Sequence, residues 1–225
     1  MPSSYFLIPI NSTTPVESEQ KFAADTRLKL SKTLDTYPSD EVIDWAMGKR
    51  NYLIEGVSGA GKTAVATELQ RRGYQAIHGD RELAYRGDPE TGVPMVPETG
   101  TPTTTLTSKY WIWDVEKVKA YIANQDDAVT FFCGGSRNFS KIVDLLDGVF
   151  VLNVDLETMK RRIAERVAVD PTDFGGKPEE LELAIRLHQT KEDVPKTGII
   201  IDATAPLAHV VDEILRLSNA PQNNT

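Results

Sequence analysis

In Asn51-Tyr-Leu-Ile-Glu-Gly56-Val-Ser-Gly-Ala-Gly-Lys62-Thr63-Ala-Val-Ala-Thr-Glu-Leu-Gln-Arg-Arg72, a short apolar run leads into a glycine-rich turn and then a helix-forming segment. Gly56, Gly61, Lys62 and Thr63 satisfy G-x-x-x-x-G-K-[ST] at every fixed position, and strand, turn and helix come in the order that the pattern's mechanism needs. Glycines let the backbone curl until the amides of Gly56, Ser58, Gly59, Ala60 and Gly61 face phosphate oxygens, and the positive end of the following helix adds to the field. In such a loop Lys62 bridges the β- and γ-phosphates of a nucleotide, and Thr63 offers its hydroxyl to Mg2+.

The rest of the chain continues this rhythm. Apolar runs at Tyr74–His78, Ala128–Cys133, Val149–Val154 and Gly198–Ile201 alternate with helix-forming segments at Asp114–Asn124, Phe139–Asp147, Leu156–Val167, Glu179–Lys191 and Leu207–Leu217. The alternation predicts an α/β fold of three layers around a five-stranded parallel sheet. Ala128–Cys133 is apolar on both sides, as a central parallel strand should be. Two stretches break the pattern. Residues 83–109 carry Gly-Asp-Pro-Glu-Thr-Gly and a Pro/Thr run, and are expected to form an insertion over one end of the sheet, too polar for a core element. Residues 170–178 hold two prolines and a Gly-Gly pair between two helices, the composition of a hinged lid. The expected organisation is an appendage at 1–46 with a helix at Glu17–Leu34, a domain at 47–217, and a flexible polar tail at 218–225.

A net charge of −8, from 33 acidic and 25 basic residues, disfavours binding that depends on neutralising many phosphates of a long nucleic acid. A small anion held by fixed amides remains compatible with it. Every apolar run is shorter than the ~18 residues of a membrane helix, so no membrane partner is expected. No basic segment precedes Tyr5-Phe-Leu-Ile as a secretory signal requires, and the single cysteine, Cys133, forms no intramolecular disulfide; the expected location is the cytoplasm. His78, His188 and His209 are scattered, without the spacing of a structural metal site.

With this motif and this order of elements, Tyr52 to Leu217 resembles the small-molecule kinase branch of the P-loop proteins, the group containing adenylate kinase, shikimate kinase and related nucleoside and nucleotide kinases. The similar features are Gly79-Asp80 after the second strand, Gly134-Gly-Ser-Arg137 after the third, Arg161, Arg162 and Arg166 ahead of the lid, and Ile201-Asp-Ala-Thr-Ala-Pro206 before the closing helix. The resemblance implies a nucleoside-monophosphate-kinase-like fold using ATP and Mg2+. It implies that Arg162 and Ala203 join the loop in holding ATP, that Thr63 and Asp80 organise the metal, and that Lys62, Asp80, Arg137 and Arg166 serve catalysis. The implied partners are ATP and a small acceptor, a nucleoside or nucleotide first of all; the oligomeric state is open. The chain departs from the group at Cys133, where many relatives carry an Asp of the Mg2+ water network, and at Leu83, where adenylate kinases carry an arginine.

Several residues admit two readings. Asp80 at the end of a parallel strand faces the crevice where such folds bind ligands, as a base or a metal-water orienter, or else caps a following helix. Arg137 clamps an acceptor phosphate or carboxylate, or is a solvent-exposed loop arginine. Arg162 and Arg166 share a helix face at i, i+4, and Arg161 points elsewhere. Cys133 is read as a packing residue. Trp111 and Trp113 pack the insertion or stack on an acceptor ring. The alternative functions are a kinase of a shikimate-like acid, a sugar acid or an antibiotic hydroxyl, and a non-catalytic ATP-binding regulatory module, which Cys133 keeps open.

Overall fold

The structure is a computed structural model that describes residues 49–124 and 126–220. The expected appendage at 1–46 and its helix lie outside the described residues. β1 (Arg50–Glu55) is the middle strand of a five-stranded parallel sheet, with β5 (Val129–Cys133) and β2 (Gln75–His78) on one side and β6 (Gly148–Asn153) and β7 (Ile199–Asp202) on the other. Tyr52 and Leu53 pair with Phe131 and Phe132 of β5, and with Gly148 and Val149 of β6. The strand order reverses at β1, and its carboxyl end therefore opens into the crevice of a doubly wound sheet.

Alternation along the strands builds the two outer layers. Ile54 and Phe131 join one apolar cluster with Val65 and Leu69 of α1 (Lys62–Arg71), Met159 and Ile163 of α5 (Leu156–Val169) and Ile214 of α7 (Leu207–Ser218). Leu53 and Phe132 join another, with Leu83, Trp113, Val118 of α4 (Val115–Ala123) and Ile142. All five residues of β5 are buried. Fully burying such side chains contributes about 1.5–3 kcal/mol each.

Three expectations are corrected. Phe139–Asp147 is not one helix: it forms two 3-10 turns, Phe139–Lys141 and Val143–Leu145, around buried Ile142. The segment must return at once to the sheet, where the Asp147 carboxylate accepts from the Asn51 amide at 2.7 Å and the Asp147 amide donates to the Asn51 carbonyl at 2.8 Å. The insertion is not purely polar cover. After the short α2 (Gly79–Glu82), β3 (Ala84–Arg86) pairs antiparallel with β4 (Trp111–Trp113), and α3 (Thr103–Tyr110) lies between them in sequence. Leu83 and Leu106, isolated in polar sequence, are its buried anchors. The tail does not fray at 218: Ser218 ends α7 and is buried, Ala220 is buried, and the Arg50 guanidinium donates to the carbonyls of Ser218 and Asn219, satisfying a helix end.

Trp113 ties the antiparallel pair to the sheet. A Cβ on Gly79 would stand 2.0 Å from its Cζ2 atom, and one on Gly134 2.6 Å from the same atom, so the indole lies directly on both backbones. Neither glycine is needed for a positive φ; each is needed for this approach. Gly79→Ala should lower stability by about 1–3 kcal/mol through overpacking. In a double-mutant cycle with Trp113→Phe, measured by denaturant unfolding, the cost of the alanine should shrink because the clashing atom is gone; additive costs would refute the contact.

Candidate functional site

The loop leaving β1 is shaped by Gly59 at φ 82° and Gly61 at φ 109°, left-handed angles that glycine adopts without cost. Gly61 precedes α1 with no side-chain cap, and the first turn of α1 holds no acidic residue. The first amides of α1 are thus available to an anion at the positive end of the helix. Lys62 folds back across the loop, its ammonium donating to the carbonyls of Gly56 and, at 3.3 Å, Val57. Thr63 is exposed on the first turn.

Two arginines of α5 reach this loop. Arg162 donates to the carbonyls of Ala60 at 3.1 Å and Ala203 at 2.8 Å, joining the loop to the segment after β7. Arg166 approaches Ser58 Oγ at 3.3 Å, donates to the Phe174 carbonyl at 2.6 Å and pairs with Asp173 at 2.9 Å. Arg161 instead pairs with Glu165 on an exposed face, 2.8 Å away. The segment at 170–178 is a chain of turns: Gly175 donates to the buried carboxylate of Glu180 at 3.0 Å, and Glu180 belongs to α6 (Pro178–Thr190).

Across the crevice, Asp80 is not a helix cap. His78 precedes α2, and the Asp80 carboxylate turns to the β5 side, where Oδ1 accepts from the Gly135 amide at 3.2 Å and faces the Trp111 indole nitrogen at 3.4 Å. The turn after β5 is held by buried Asn138, whose side chain accepts from the Trp113 amide at 3.0 Å and donates to the Trp113 carbonyl at 2.9 Å. Arg137 is neither free nor exposed. It donates to the Thr107 carbonyl and pairs with Asp193, both at 3.2 Å. Cys133 is buried, and burial pushes its thiol up, out of reach as a thiolate nucleophile. The two tryptophans divide the roles considered for them: Trp113 packs, while Trp111 stays half-exposed beside Asp80.

The sequence reading passed over Glu55 and Asp193. Glu55 ends β1 directly before the loop and is 3% exposed. Oε1 accepts from the Gly56 amide at 3.0 Å, whereas Oε2 is buried without a hydrogen-bond partner. Burial, reinforced by Asp80 and Asp193 and opposed by Lys62, pushes its carboxyl up to about 8. The available signal was a carboxylate at the end of an otherwise apolar central strand. Asp193, in a charged loop between α6 and β7, carried none.

Among the described residues, no three His, Cys, Asp or Glu side chains gather as a metal centre. Mg2+ takes few protein ligands and keeps water and phosphate oxygens, so it does not require such a cluster. No helix among them is long and apolar enough to cross a membrane.

No family model matches the chain, and no curated protein matches it. Shikimate kinase from Acinetobacter baumannii, solved in complex with shikimate, is similar over 77% of this chain and 96% of its own, with a TM-score of 0.51 at 16% identity. A sugar kinase from Janibacter aligns over 79% of this chain and 99% of its own at 18% identity and a TM-score of 0.47. Deoxyadenosine kinase from M. mycoides, with bound dATP, aligns over 76% of this chain and 100% of its own at 16% identity and a TM-score of 0.41. The fold is that of the shikimate kinase structure, a parallel α/β sheet with a glycine-rich loop at the end of its central strand.

Glu55 makes a testable statement about stability. A carboxyl raised from 4.5 to about 8 keeps a proton in the folded chain that the unfolded chain has released, so stability falls as pH rises between these values. The slope approaches ~1.4 kcal/mol per pH unit in that window. Glu55→Gln keeps the acceptor for Gly56 and removes the titration. In urea unfolding at about pH 5 and pH 8, the wild type should lose stability relative to the variant at the higher pH. Parallel behaviour would mean that Glu55 is ionised throughout.

Proposed function

We propose that the protein is a kinase that transfers the γ-phosphoryl group of ATP to a hydroxyl of a small acceptor, of the nucleoside or nucleotide class. The observation that carries the reading is an uncapped glycine loop with Lys62 together with a carboxylate, Asp80, fixed by the Gly135 amide, Lys62 and Asp80 both lying within electrostatic reach of Glu55 at the end of β1. Loop amides and Lys62 hold the phosphates of the donor, with Lys62 leaving the carbonyls of Gly56 and Val57 to meet them. Arg162, bridging Ala60 and Ala203, lines the nucleotide side, and Arg166 stands over Ser58 where the transferring group passes. Thr63 and Asp80 would hold Mg2+, which would supply neutralisation of the phosphate charge. Asp80 orients the acceptor hydroxyl and takes its proton as the oxygen bonds to the γ-phosphorus and ADP departs.

Little covalent work falls to the protein, so rate comes from positioning and charge. The turns at 170–178 move with Arg166 and close over ATP, excluding water so that hydrolysis does not compete. Trp113, Asn138 and the glycines beneath them fix the acceptor turn on a rigid element, as a group that must meet a hydroxyl within hydrogen-bond reach requires.

Lys62→Ala should leave the unfolding curve near that of the wild type and reduce turnover about 100-fold or more. Near-normal turnover with the best acceptor would displace the loop from the reaction. Asp80→Asn should lower kcat by about 100-fold or more with little change in ATP affinity; an unchanged kcat would make Asp80 a positioning carboxylate only. Arg166→Ala should cost more in kcat than Arg161→Ala, because Arg161 is engaged with Glu165 on the outer face. Equal losses would remove Arg166 from the phosphate path.

A further inference from the structure

We infer that the acceptor carries no anionic group, and that Asp193 enforces this selection by holding the charge of Arg137. The inference rests on the kinase reading and sharpens its substrate class towards uncharged hydroxyl compounds, nucleosides rather than nucleotides.

Arg137 was the residue expected to clamp an acceptor phosphate or carboxylate. In the folded chain its Nη2 pairs with Asp193 Oδ2 at 3.2 Å and its Nε donates to the Thr107 carbonyl at 3.2 Å. Both members of the pair are largely withdrawn from water, the side chains being 19% and 12% exposed. The Arg137 amide donates to the Trp111 carbonyl at 2.8 Å, which fixes the backbone from which the side chain starts. Asp193 depends on this partner, because its other oxygen, Oδ1, is buried with no hydrogen bond. Moving the guanidinium to an incoming anion would take from the largely buried Asp193 carboxylate its hydrogen-bonded partner and leave it only the Lys191 ammonium within electrostatic reach, which is costly.

The remaining groups around the turn point the same way. Asp80 offers carboxylate oxygens, and Asp80, Asp193 and Lys62 all lie within electrostatic reach of the buried Glu55. Lys62 lies across the glycine loop, and Lys191, which donates to Asn153 at the end of β6 at 3.4 Å, turns its remaining charge towards Asp193. A phosphate or carboxylate on the acceptor would therefore meet Asp80 with the charge of Arg137 already answered. A hydroxyl group suits the same surface, since it donates to a carboxylate and accepts from an indole or guanidinium. Glu55, Asp193 and Arg137 come from three separate segments, so the selection is a property of the assembled crevice.

The test uses the full chain with Mg2+ and a non-hydrolysable ATP analogue, whose own binding is measured first and reports separately on the kinase reading. Inorganic phosphate is then titrated by calorimetry into the analogue-loaded protein, as wild type, Arg137→Gln, Asp193→Asn and Asp193→Asn/Arg137→Gln. The expected result is no measurable phosphate binding by the wild type in the millimolar range, binding at least tenfold tighter in Asp193→Asn, and loss again in the double variant. Phosphate binding by the wild type that Arg137→Gln abolishes would overturn the inference, and it would do so whether or not the analogue binds. Matched acceptors on the wild type give a reading that needs no variant to fold: nucleosides against their 5′-monophosphates, and shikimate methyl ester against shikimate. Higher kcat/KM for the uncharged member supports the selection, and higher kcat/KM for the anion overturns it. If no acceptor turns over, the phosphate titration decides alone.

Discussion

The parallel pairing of β1 on both edges is the constraint on which the site depends. Tyr52 to Ile54 are hydrogen-bonded to β5 on one side and β6 on the other, with Leu53 and Ile54 buried on opposite faces. A strand held this way ends at a fixed point and in a fixed direction. The loop that begins at Gly56, and the ammonium of Lys62 carried on it, inherit that precision. Were β1 an edge strand, the same glycines would have no rigid base from which to aim their amides.

At the ends of β2 and β5 the corresponding base is Trp113. Its indole rests on the backbones of Gly79 and Gly134, the residues that follow β2 and β5, and its own amide and carbonyl are both taken by Asn138. One side chain therefore gathers the ends of two sheet strands and the antiparallel pair above them. Leu83 and Leu106 add the apolar anchors that let a polar segment of this length stay folded over the sheet. The position of Asp80 follows, since the amide of Gly135 that holds it belongs to the same turn.

Charge at the crevice is nearly balanced within short distances. Arg137 and Asp193 neutralise one another, and the proton that burial holds on Glu55 keeps a further negative charge away from the phosphate loop. The consequence is a division of labour. Lys62, Arg162 and Arg166 put positive charge beside the glycine loop, and the side of Asp80 is left close to neutral with an acidic bias. The net charge of −8 does not conflict with a small anion at the glycine loop, because such attraction is local and made by fixed groups.

Much of this was legible in the chain because it depends on neighbours in sequence. The glycine loop between Glu55 and Lys62, the alternation of apolar strands with amphipathic helices, and the shared face of Arg162 and Arg166 all follow from periods of two or 3.6 residues, and each appears in the folded chain. The failures share one physical origin. Phe139–Asp147 has helix-forming residues, but its length is set by the return of Asp147 to Asn51, 96 residues away in the chain, and two tight turns meet that demand where a helix would not. Gly79 and Gly134 could be read as turn residues, whereas it is the closeness of Trp113 that excludes a Cβ there. Arg137 looked free because Asp193 lies 56 residues further on, in a loop without any pattern. Local sequence determines which segments become strands, helices and phosphate loops, since backbone geometry and side-chain periodicity act over a few residues. Burial of Glu55 and the pairing of Arg137 were decided only by tertiary structure, because desolvation and Coulombic attraction depend on distances that exist once the sheet has closed.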